Sequence, residues 1–509
     1  MSFNDSVGAS ELAWWQKTVV YQIYPRSFQD GNGDGVGDIA GIISRLSILH
    51  QLGIEALWLS PVYPSPNADF GYDIANYCAI DPIFGSLEQM EDLIQEAKIL
   101  GMKIIMDGVF NHTSEEHPWF EDSVYRRNNR DDWYIWRDQP NNWTSAFGGS
   151  AWKYHPIRQQ YYLHSFAPQQ PDLNWRNKDV VTTILSIMEF WYQRGIAGFR
   201  LDVFNAYLKD AEFRNNLPKS DLKSRIGGLF YPYIGQRHEF DRDRLDILDV
   251  LSQMRLLADQ YDAVLIGETL DEEFEYQLAR RYVGENRLHL VFHFGVLHSK
   301  WFDIPKAVKQ FMQDFSGVQP TWVWSNHDFV RASQRWQFHK YPSRARMMAL
   351  LCCTLPGVPF IYYGEEIGLH EGVIPKKHIQ DPVGKRYYPF FKGRDGARTP
   401  MKWEKGLYAG FSQAQPWLPI MASSLDANVK EAQADSESLW KFYQKWIAIR
   451  QKWALWTSDN FQWLESTSKI VAFERVLPNG QKLQIHCDFA ANTYQIQWLG
   501  FESDGSEDR

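Results

Sequence analysis

Eight short runs of apolar residues, mostly β-branched or aromatic, recur along the chain, and segments with helical periodicity separate most of them. Each run is nearly continuous in its hydrophobicity, as expected for a strand that is buried on both faces of a parallel sheet. The runs begin at Val19, Ile54, Met102, Gly198, Ala263, His289, Thr321 and Val358. Eight alternating strand and helix units predict an α/β fold, a (β/α)8 TIM barrel.

Two connections between these units are too long for simple loops. One follows the third strand and predicts an inserted subdomain over residues 112–170, and the other follows the eighth strand, over roughly 365–403. The barrel is then expected to comprise residues 1–111 and 171–458. Alternating segments after it predict a short C-terminal antiparallel β domain over 459–509. Its sheet looks incomplete, which leaves both a monomer and a homodimer open.

The overall charge and hydrophobicity exclude several classes of partner. The chain has 509 residues and a net charge of −9, so it lacks the basic excess that a nucleic-acid-binding protein needs. It shows neither a signal-peptide pattern nor an apolar run of about 18 residues, which argues against secretion and membrane spanning. Cysteines occur only at Cys78, Cys352, Cys353 and Cys487. We expect reduced thiols and a cytoplasmic protein.

Charged and polar side chains gather where the predicted strands end. They are Asp107, Asn111, His112, Arg200, Asp202, Glu268, His327 and Asp328. A single acid after an apolar run is usually a helix cap, but several acids with two histidines and an arginine are harder to explain in that way. Because the carboxyl ends of all barrel strands lie on one face, these side chains can meet in one pocket.

The acids among them suit the cleavage of a glycosidic bond. That reaction passes through an oxocarbenium-like state and needs two carboxyl groups, about 5–5.5 Å apart in a retaining enzyme. Arg200 lies two residues before Asp202, so both side chains point to the same face of the strand. A cation there would keep Asp202 ionised as a nucleophile, and Glu268 can reach the same pocket as the acid. The pattern predicts a sugar-cleaving enzyme.

The segment DGNGDGVGD near the start of the chain has the spacing of a calcium loop. Oxygen ligands would come from the side chains of Asp30, Asn32, Asp34 and Asp38 and from the carbonyl of Val36. Gly41 stands where an EF-hand would place its bidentate glutamate. Three clustered carboxylates would repel one another without a cation, so we expect a structural Ca²⁺, with Mg²⁺ as the alternative.

Seven motifs in order give the chain its resemblance to a known family. DGVFNH (107–112), GFRLD (198–202), GE (267–268) and NHD (326–328) are similar to the motifs of the α-amylase superfamily, glycoside hydrolase family 13. QPDLN (170–174), GYDI (71–74) and GRDGARTPM (393–401) resemble its oligo-1,6-glucosidase and α-glucosidase branch. The calcium loop resembles a site in the same branch. The motifs run from Asp30 to Met401 and so span nearly all of the predicted barrel.

The resemblance implies a role for each matching residue. Asp202 would be the nucleophile, Glu268 the general acid/base, and Asp328 a third carboxylate that grips the sugar hydroxyls. The residues implied to bind the glucose are Tyr72, His112, Arg200 and His327. Asp73 and Arg398 would hold its non-reducing end and close the pocket there, as in exo-acting members.

Val203, directly after the expected nucleophile, resembles the α-1,6-active form of related enzymes. We therefore expect an exo-acting, retaining α-glucosidase that takes short oligosaccharides with α-1,4 or α-1,6 links. A transglycosylase or isomerase, such as a sucrose isomerase or trehalose synthase, would use the same carboxylates and stays open. A non-catalytic amylase-like binding subunit is the alternative from another class.

Overall fold

Eight parallel strands form the centre of the molecule. The computed structural model describes residues 12–269, 276–420 and 428–500. The strands are β1 (Val20–Ile23), β2 (Ala56–Leu59), β3 (Lys103–Gly108), β4 (Gly198–Leu201), β5 (Val264–Glu268), β6 (Leu290–Phe292), β7 (Thr321–Val323) and β8 (Val358–Tyr362). Each lies within one of the eight apolar runs, so the predicted strands are confirmed.

The order of the strands brings the two ends of the sheet together. Neighbours follow the order β6-β5-β4-β3-β2-β1-β8-β7, and all seven pairings are parallel. Across the remaining seam, the Thr321 hydroxyl on β7 donates to the Val291 carbonyl on β6, 2.9 Å away. The sheet is therefore a nearly closed barrel, as predicted, and the carboxyl ends of its strands face one common region.

Helices follow the strands and cover the outside of the barrel. The main ones are α1 (Ile39–Leu52), α2 (Leu87–Ile99), α3 (Lys178–Tyr192), α4 (Ile247–Gln260), α5 (Tyr276–Arg280), α6 (Ile304–Asp314), α7 (Pro342–Thr354) and α8 (Leu439–Lys452). Polar residues define their starts, since the side chains of Asp38 and Ser86 accept backbone N–H groups at the beginning of α1 and α2. Gly53 ends α1 with a φ of 96°, which favours glycine.

Two hydrophobic layers hold the barrel together. The inner layer fills the barrel with side chains from several strands, including Val20, Trp58, Ile105, Ile266 and Phe360. The outer layer lies between the strands and the helices and continues into the C-terminal sheet. The strands are thus buried on both faces, which explains their continuous hydrophobicity.

The segment between β3 and α3 folds over the carboxyl end of the barrel. It contains a helix, Pro118–Val124, and an antiparallel sheet in the order Trp136–Arg137, Gln160–Leu163, Trp152–His155. Its own small cluster includes Trp143 and Trp152. The subdomain limits of 112–170 stay a prediction.

A third long connection was not predicted. The chain between β4 and α4 also runs over the barrel end and forms only short elements, Phe204–Ala206, Leu217–Pro218, Leu222–Gly228, Pro232–Gly235 and Gln236–Arg237. Several of its apolar side chains are exposed, among them Leu229 and Phe230. Its buried apolar residues lie mostly at its start, from Phe204 to Leu208, so the rest of the segment has no hydrophobic period by which a sequence could reveal its fold.

The C-terminal region is an antiparallel sheet of four strands. They are β9 (Phe461–Trp463), β10 (Ile470–Val476), β11 (Lys482–Asp488) and β12 (Thr493–Leu499). The last three were predicted, whereas β9, with only three residues, is too short for its alternation to be recognised in the sequence. Among the described residues, no helix is long and apolar enough to cross a membrane. The four cysteines are free thiols, and three of them are buried.

Candidate active site

Arg200 lies at the centre of a buried group of carboxylates at the end of the barrel. In the parallel register it stands beside Asp107 on β3 and beside Ile266 on β5. Its Nη1 donates to Asp107 at 2.7 Å and to Asp202 at 2.8 Å, and its Nη2 donates to Glu268. The barrel therefore brings together three acids that are far apart in sequence.

Burial and the neighbouring charges shift the pKa values of these residues. Burial raises the pKa of Asp202 to about 6, with a further contribution from Asp107, although Arg200 opposes the shift. Burial also raises the pKa of Asp107. The surrounding carboxylates outweigh the effect of burial on Arg200 and raise its pKa, so it remains a cation. Asp202 is thus mostly ionised at neutral pH and becomes protonated in mild acid.

Asp328 differs because two arginines and a histidine surround it. Its carboxylate lies 3.0 Å from Arg398, 3.2 Å from Arg394 and 3.1 Å from His327. Burial acts to raise the pKa of Asp328, but His327 and the arginines outweigh it and hold that pKa below its usual range. Its side chain keeps 25% of its exposure, whereas that of Arg200 has none. Asp328 is therefore an ionised carboxylate that faces the open pocket.

His327 and Tyr72 form one wall of the pocket. Their rings stack with centroids 5.4 Å apart, and the Tyr72 hydroxyl contacts His327 Nε2 and donates to Asp107 at 3.2 Å. Gln22, on β1, lies 2.8 Å from His327 Nδ1. Burial lowers the pKa of His327 to about 3, so the imidazole is neutral and suited to hydrogen bonding with hydroxyl groups.

His112 lies on the side of the inserted segment. Its Nε2 is 2.9 Å from the Tyr72 carbonyl and 3.1 Å from the Gln170 amide, and its Nδ1 is 3.2 Å from the Asn111 amide. Burial lowers its pKa. Phe166 packs against the ring, 5.3 Å between centroids. The QPDLN and DGVFNH motifs therefore meet at this histidine.

Asp73 and Arg398, predicted to hold the non-reducing end of the glucose, have separate partners in the described chain, and their role in binding stays a prediction. Asp73 is fully buried and accepts hydrogen bonds from the Ser65 hydroxyl and from the backbone of Ala68 and Asp69. Its carboxylate therefore braces the loop on which Asp69 lies. Arg398 is also buried and contacts the His327 carbonyl and Asp328.

Asp69 and Arg394, each near one of these residues in sequence, form an ion pair that also contacts Asp328. Arg394 Nη2 lies 2.6 Å from Asp69, and Nη1 lies 3.2 Å from Asp328. Arg394 also binds Asp381 at 2.6 Å, and its guanidinium lies over the ring of Phe147, 5.3 Å from the centroid. Neither residue was predicted from the sequence, although Asp69 lies four positions from Asp73 and Arg394 four positions from Arg398.

Val203 follows Asp202 in an unusual backbone conformation. Its φ of 38° lies in the left-handed region, which is costly for a β-branched residue. It is 6% exposed but belongs to none of the hydrophobic clusters of the described chain. Val203 is therefore a buried residue in a left-handed turn directly after Asp202.

The predicted calcium loop brings carboxylates together, and within the described residues none of them forms an ion pair. The carboxylates of Asp30 and Asp38 both accept the Asn32 N–H at 3.1 Å, and Asp34 accepts the N–H of Val36. Burial raises the pKa of Asp38, with a contribution from Asp30. No three His, Cys, Asp or Glu side chains of the described chain are close enough to hold a metal. An ion here would need amide and carbonyl oxygens as well, and the site stays a prediction.

Comparisons with known proteins agree with this geometry. Residues 22–459 match the family model described as alpha amylase, catalytic domain. A protein of Rhizobium meliloti (strain 1021) named "Probable alpha-glucosidase" is 40% identical, over 91% of this chain and 87% of its own length. An "Oligo-1,6-glucosidase" of Parageobacillus thermoglucosidasius is 36% identical, over 93% and 90%.

A solved structure shares the fold closely. The crystal structure described as an alpha-glucosyl transfer enzyme, XgtA, superposes with a TM-score of 0.89 at 40% identity, covering 94% of this chain and 92% of that one. The family match extends over most of the chain and includes every strand-end residue described above. The chain therefore belongs to the α-amylase family of glycoside hydrolases.

Proposed function

We propose that the protein is an exo-acting, retaining α-glucosidase that releases glucose from the non-reducing end of short α-glucosides. The observation that carries the proposal is the pair Asp202 and Glu268, held by the two terminal nitrogens of Arg200. Sharing one guanidinium keeps the two carboxyl groups close, which favours the separation of about 5 Å of a retaining pair over the about 6.5–9.5 Å of an inverting one. The names of the relatives support the same activity.

The residues of the site suit the steps of this reaction. Asp202 attacks the anomeric carbon while Glu268 gives its proton to the leaving oxygen, and a glucosyl-enzyme forms. Glu268 then takes a proton from water, which releases glucose with its original configuration. Asp328 binds sugar hydroxyls through a fully charged carboxylate and so favours the distorted ring. Arg200 keeps Asp202 oriented and ionised.

Asp69 and Arg394 support the exo-acting mode. Together they offer an acceptor and several donors at the same edge of the pocket. Such a charged pair satisfies terminal sugar hydroxyls and leaves no room for a further unit on that side. We propose that this pair, rather than Asp73 and Arg398, binds the non-reducing end.

The activity is tested with a panel of α-linked disaccharides: maltose, isomaltose, sucrose and trehalose. We expect free glucose as the main product from maltose or isomaltose. Accumulation of an isomer or a longer saccharide instead would favour the transglycosylase or isomerase alternative, which the similarity to XgtA, an alpha-glucosyl transfer enzyme, also supports. Absence of any turnover would favour a non-catalytic subunit.

Exchange of Val203 for threonine is expected to shift the preference between linkages. Threonine has nearly the same shape and is also β-branched, so the strained turn stays the same and only a hydroxyl is added. We expect Val203→Thr to lower the isomaltose-to-maltose ratio of kcat/KM by about tenfold, which corresponds to one hydrogen bond of about 1.4 kcal/mol. Val203→Ile serves as the apolar control, and an unchanged ratio in Val203→Thr would refute the role.

The activity is expected to fall in mild acid. Asp202 attacks only when deprotonated, and its pKa is raised to about 6, so kcat/KM should decrease as the pH falls through that value. Because Asp107 contributes to the raised pKa, Asp107→Asn should move the acid limb to lower pH. A pH profile with maltose measures both effects. An acid limb that stays in place in the variant would contradict this assignment.

We also propose that the loop from Asp30 to Asp38 binds Ca²⁺. Saturating calcium, at 100 times its Kd, would stabilise the fold by about 2.7 kcal/mol, so chelation should lower the Tm by about 3 °C. Calorimetry with EDTA, and with Ca²⁺ or Mg²⁺ restored, measures this. Asp34→Asn is the matched variant, because Asp34 is exposed and caps no helix, and it should lose the response. An unchanged Tm in EDTA would exclude the site.

The cysteines and the edge of the C-terminal sheet bear on the cellular location and the oligomeric state of the protein. Four unpaired thiols support a reducing, cytoplasmic environment. The open edge of β12 is compatible with a monomer or with a homodimer formed through the C-terminal sheet. Sedimentation of the full chain distinguishes the two.

A further inference from the structure

A strongly basic segment lies beside the pocket of this acidic protein. We call residues 376–392 the rim loop. It carries one acid, Asp381, and five Lys and Arg residues, while the whole chain has a net charge of −9. The five are Lys376, Lys377, Lys385, Arg386 and Lys392, all exposed. In the described part of the chain, none of them forms an ion pair.

The rim loop is fixed to the active site through Arg394. The Asp381 carboxylate accepts the N–H of Gly384 and so begins the short helix Pro382–Tyr387. The same carboxylate binds Arg394, which binds Asp328 in turn. Asp381 is therefore already neutralised by Arg394, and no carboxylate among the described residues forms an ion pair with the five exposed cations.

The far side of the rim loop packs against the other loops at the pocket entrance. The rings of Tyr387 and Tyr231 lie 5.8 Å apart. Tyr387 approaches Gly148 so closely that any side chain there would collide with its hydroxyl, and Arg386 lies against Gly149. Phe147, next to these glycines, covers Arg394. Lys385 and Arg386 thus lie at the entrance, beyond the group that binds the glucose.

Exposed aromatic rings accompany these cations. Phe390 is 97% exposed and Phe391 49% exposed. Such rings can pack on the apolar faces of a sugar or on an aromatic aglycone, and the cations attract anions over about 8–10 Å at moderate salt. A neutral oligosaccharide can bind only to the aromatic rings. A negatively charged aglycone can bind to the rings and also to the Lys and Arg side chains.

We propose that the preferred substrates are α-glucosides whose aglycone carries a phosphate or carboxylate, and that Lys385 and Arg386 of the rim loop bind this charge. The proposal rests on the α-glucosidase activity proposed above. Neutral glucose enters the inner pocket, and the charged group of the aglycone stays at the entrance. The rim loop thereby raises the local concentration of anionic substrates and holds them in place.

Matched substrates that differ in charge test the proposal. One pair is trehalose and trehalose 6-phosphate, and the other is the α-glucosides of 4-hydroxyphenylacetamide and 4-hydroxyphenylacetate. At low ionic strength we expect kcat/KM to be about tenfold or more higher for the anionic member of at least one pair, with the preference lost at high salt. The pair that responds identifies phosphate or carboxylate as the group recognised.

Variants that change the net charge by the same amount at different places show whether the preference for anionic substrates comes from the rim loop. K385E/R386E should lower the anionic-to-neutral ratio of kcat/KM at least tenfold, and K385Q/R386Q should lower it less. The control K98E/K445E changes the net charge equally at exposed positions on α2 and α8, and it should keep the wild-type ratio. Equal rates within both pairs, or an equal loss in the control, would overturn the proposal. Failure to cleave any of the neutral α-glucosides, maltose and isomaltose included, would instead refute the α-glucosidase activity itself.

Discussion

Asp202→Asn is expected to lower kcat by about 10⁴–10⁶-fold, the range seen when an enzyme loses its nucleophile. Asparagine retains the shape of the side chain and can still contact Arg200, but it cannot form the glucosyl bond. The fold should survive, because Asp107 and Glu268 still bind Arg200. Circular dichroism and thermal unfolding provide that control, and hydrolysis of a nitrophenyl α-glucoside provides the rate.

Azide distinguishes the nucleophile from the acid. In Asp202→Gly, azide can enter the space of the lost carboxylate and should give the β-glucosyl azide, with inverted configuration. In Glu268→Ala, the nucleophile remains and azide should attack the glucosyl-enzyme, which gives the α-glucosyl azide. Identical products from the two variants would show that the two roles are wrongly assigned.

Asp69→Asn is expected to lower kcat/KM for maltose by about 10²-fold or more. A buried carboxylate that binds sugar hydroxyls contributes about 1.5–3 kcal/mol per charged hydrogen bond, and tenfold corresponds to about 1.4 kcal/mol. Arg394→Lys should have a similar effect, since lysine keeps the charge but cannot bind Asp69, Asp328 and Asp381 together. Steady-state kinetics on maltose measure both.

Asp73→Asn is the matched control for Asp69. Its carboxylate braces a loop and accepts three hydrogen bonds, so the change should lower the free energy of unfolding by about 1–3 kcal/mol. In urea unfolding, Asp73→Asn should therefore lower the free energy of unfolding much more than Asp69→Asn does. In steady-state kinetics, Asp69→Asn should lower kcat/KM more than Asp73→Asn does. If Asp73→Asn impaired binding more than Asp69→Asn, the original pairing with Arg398 would be favoured.

The barrel could be predicted because its strands are buried on both faces, and continuous hydrophobicity is visible in a single sequence. The gathering of Arg200, Asp202 and Glu268 also follows from the fold class, since the strands end on one face. Their contacts confirm this proximity. The sequence shows less where burial is partial, and for that reason β9 and the long connection after β4 were not predicted.

The sequence could not show which of two neighbouring charged residues lies in the active site. The segment from Asp69 to Asp73 has two acids, and that from Arg394 to Arg398 has two arginines. Which one faces the pocket depends on irregular loops, where no periodicity fixes the direction of a side chain. The backbone of Val203 is a similar case, because a left-handed turn at a β-branched residue is imposed by its surroundings.

The configuration of the first product tests the retaining mechanism most directly. Proton NMR of the hydrolysis of a nitrophenyl α-glucoside, which releases a single glucose, separates the anomeric signals within the first minutes, before mutarotation equilibrates them. If Asp202 attacks and Glu268 serves as acid and then base, the α-anomer of glucose appears first and the β-anomer follows by mutarotation. Appearance of the β-anomer first would show direct attack by water and would contradict the account.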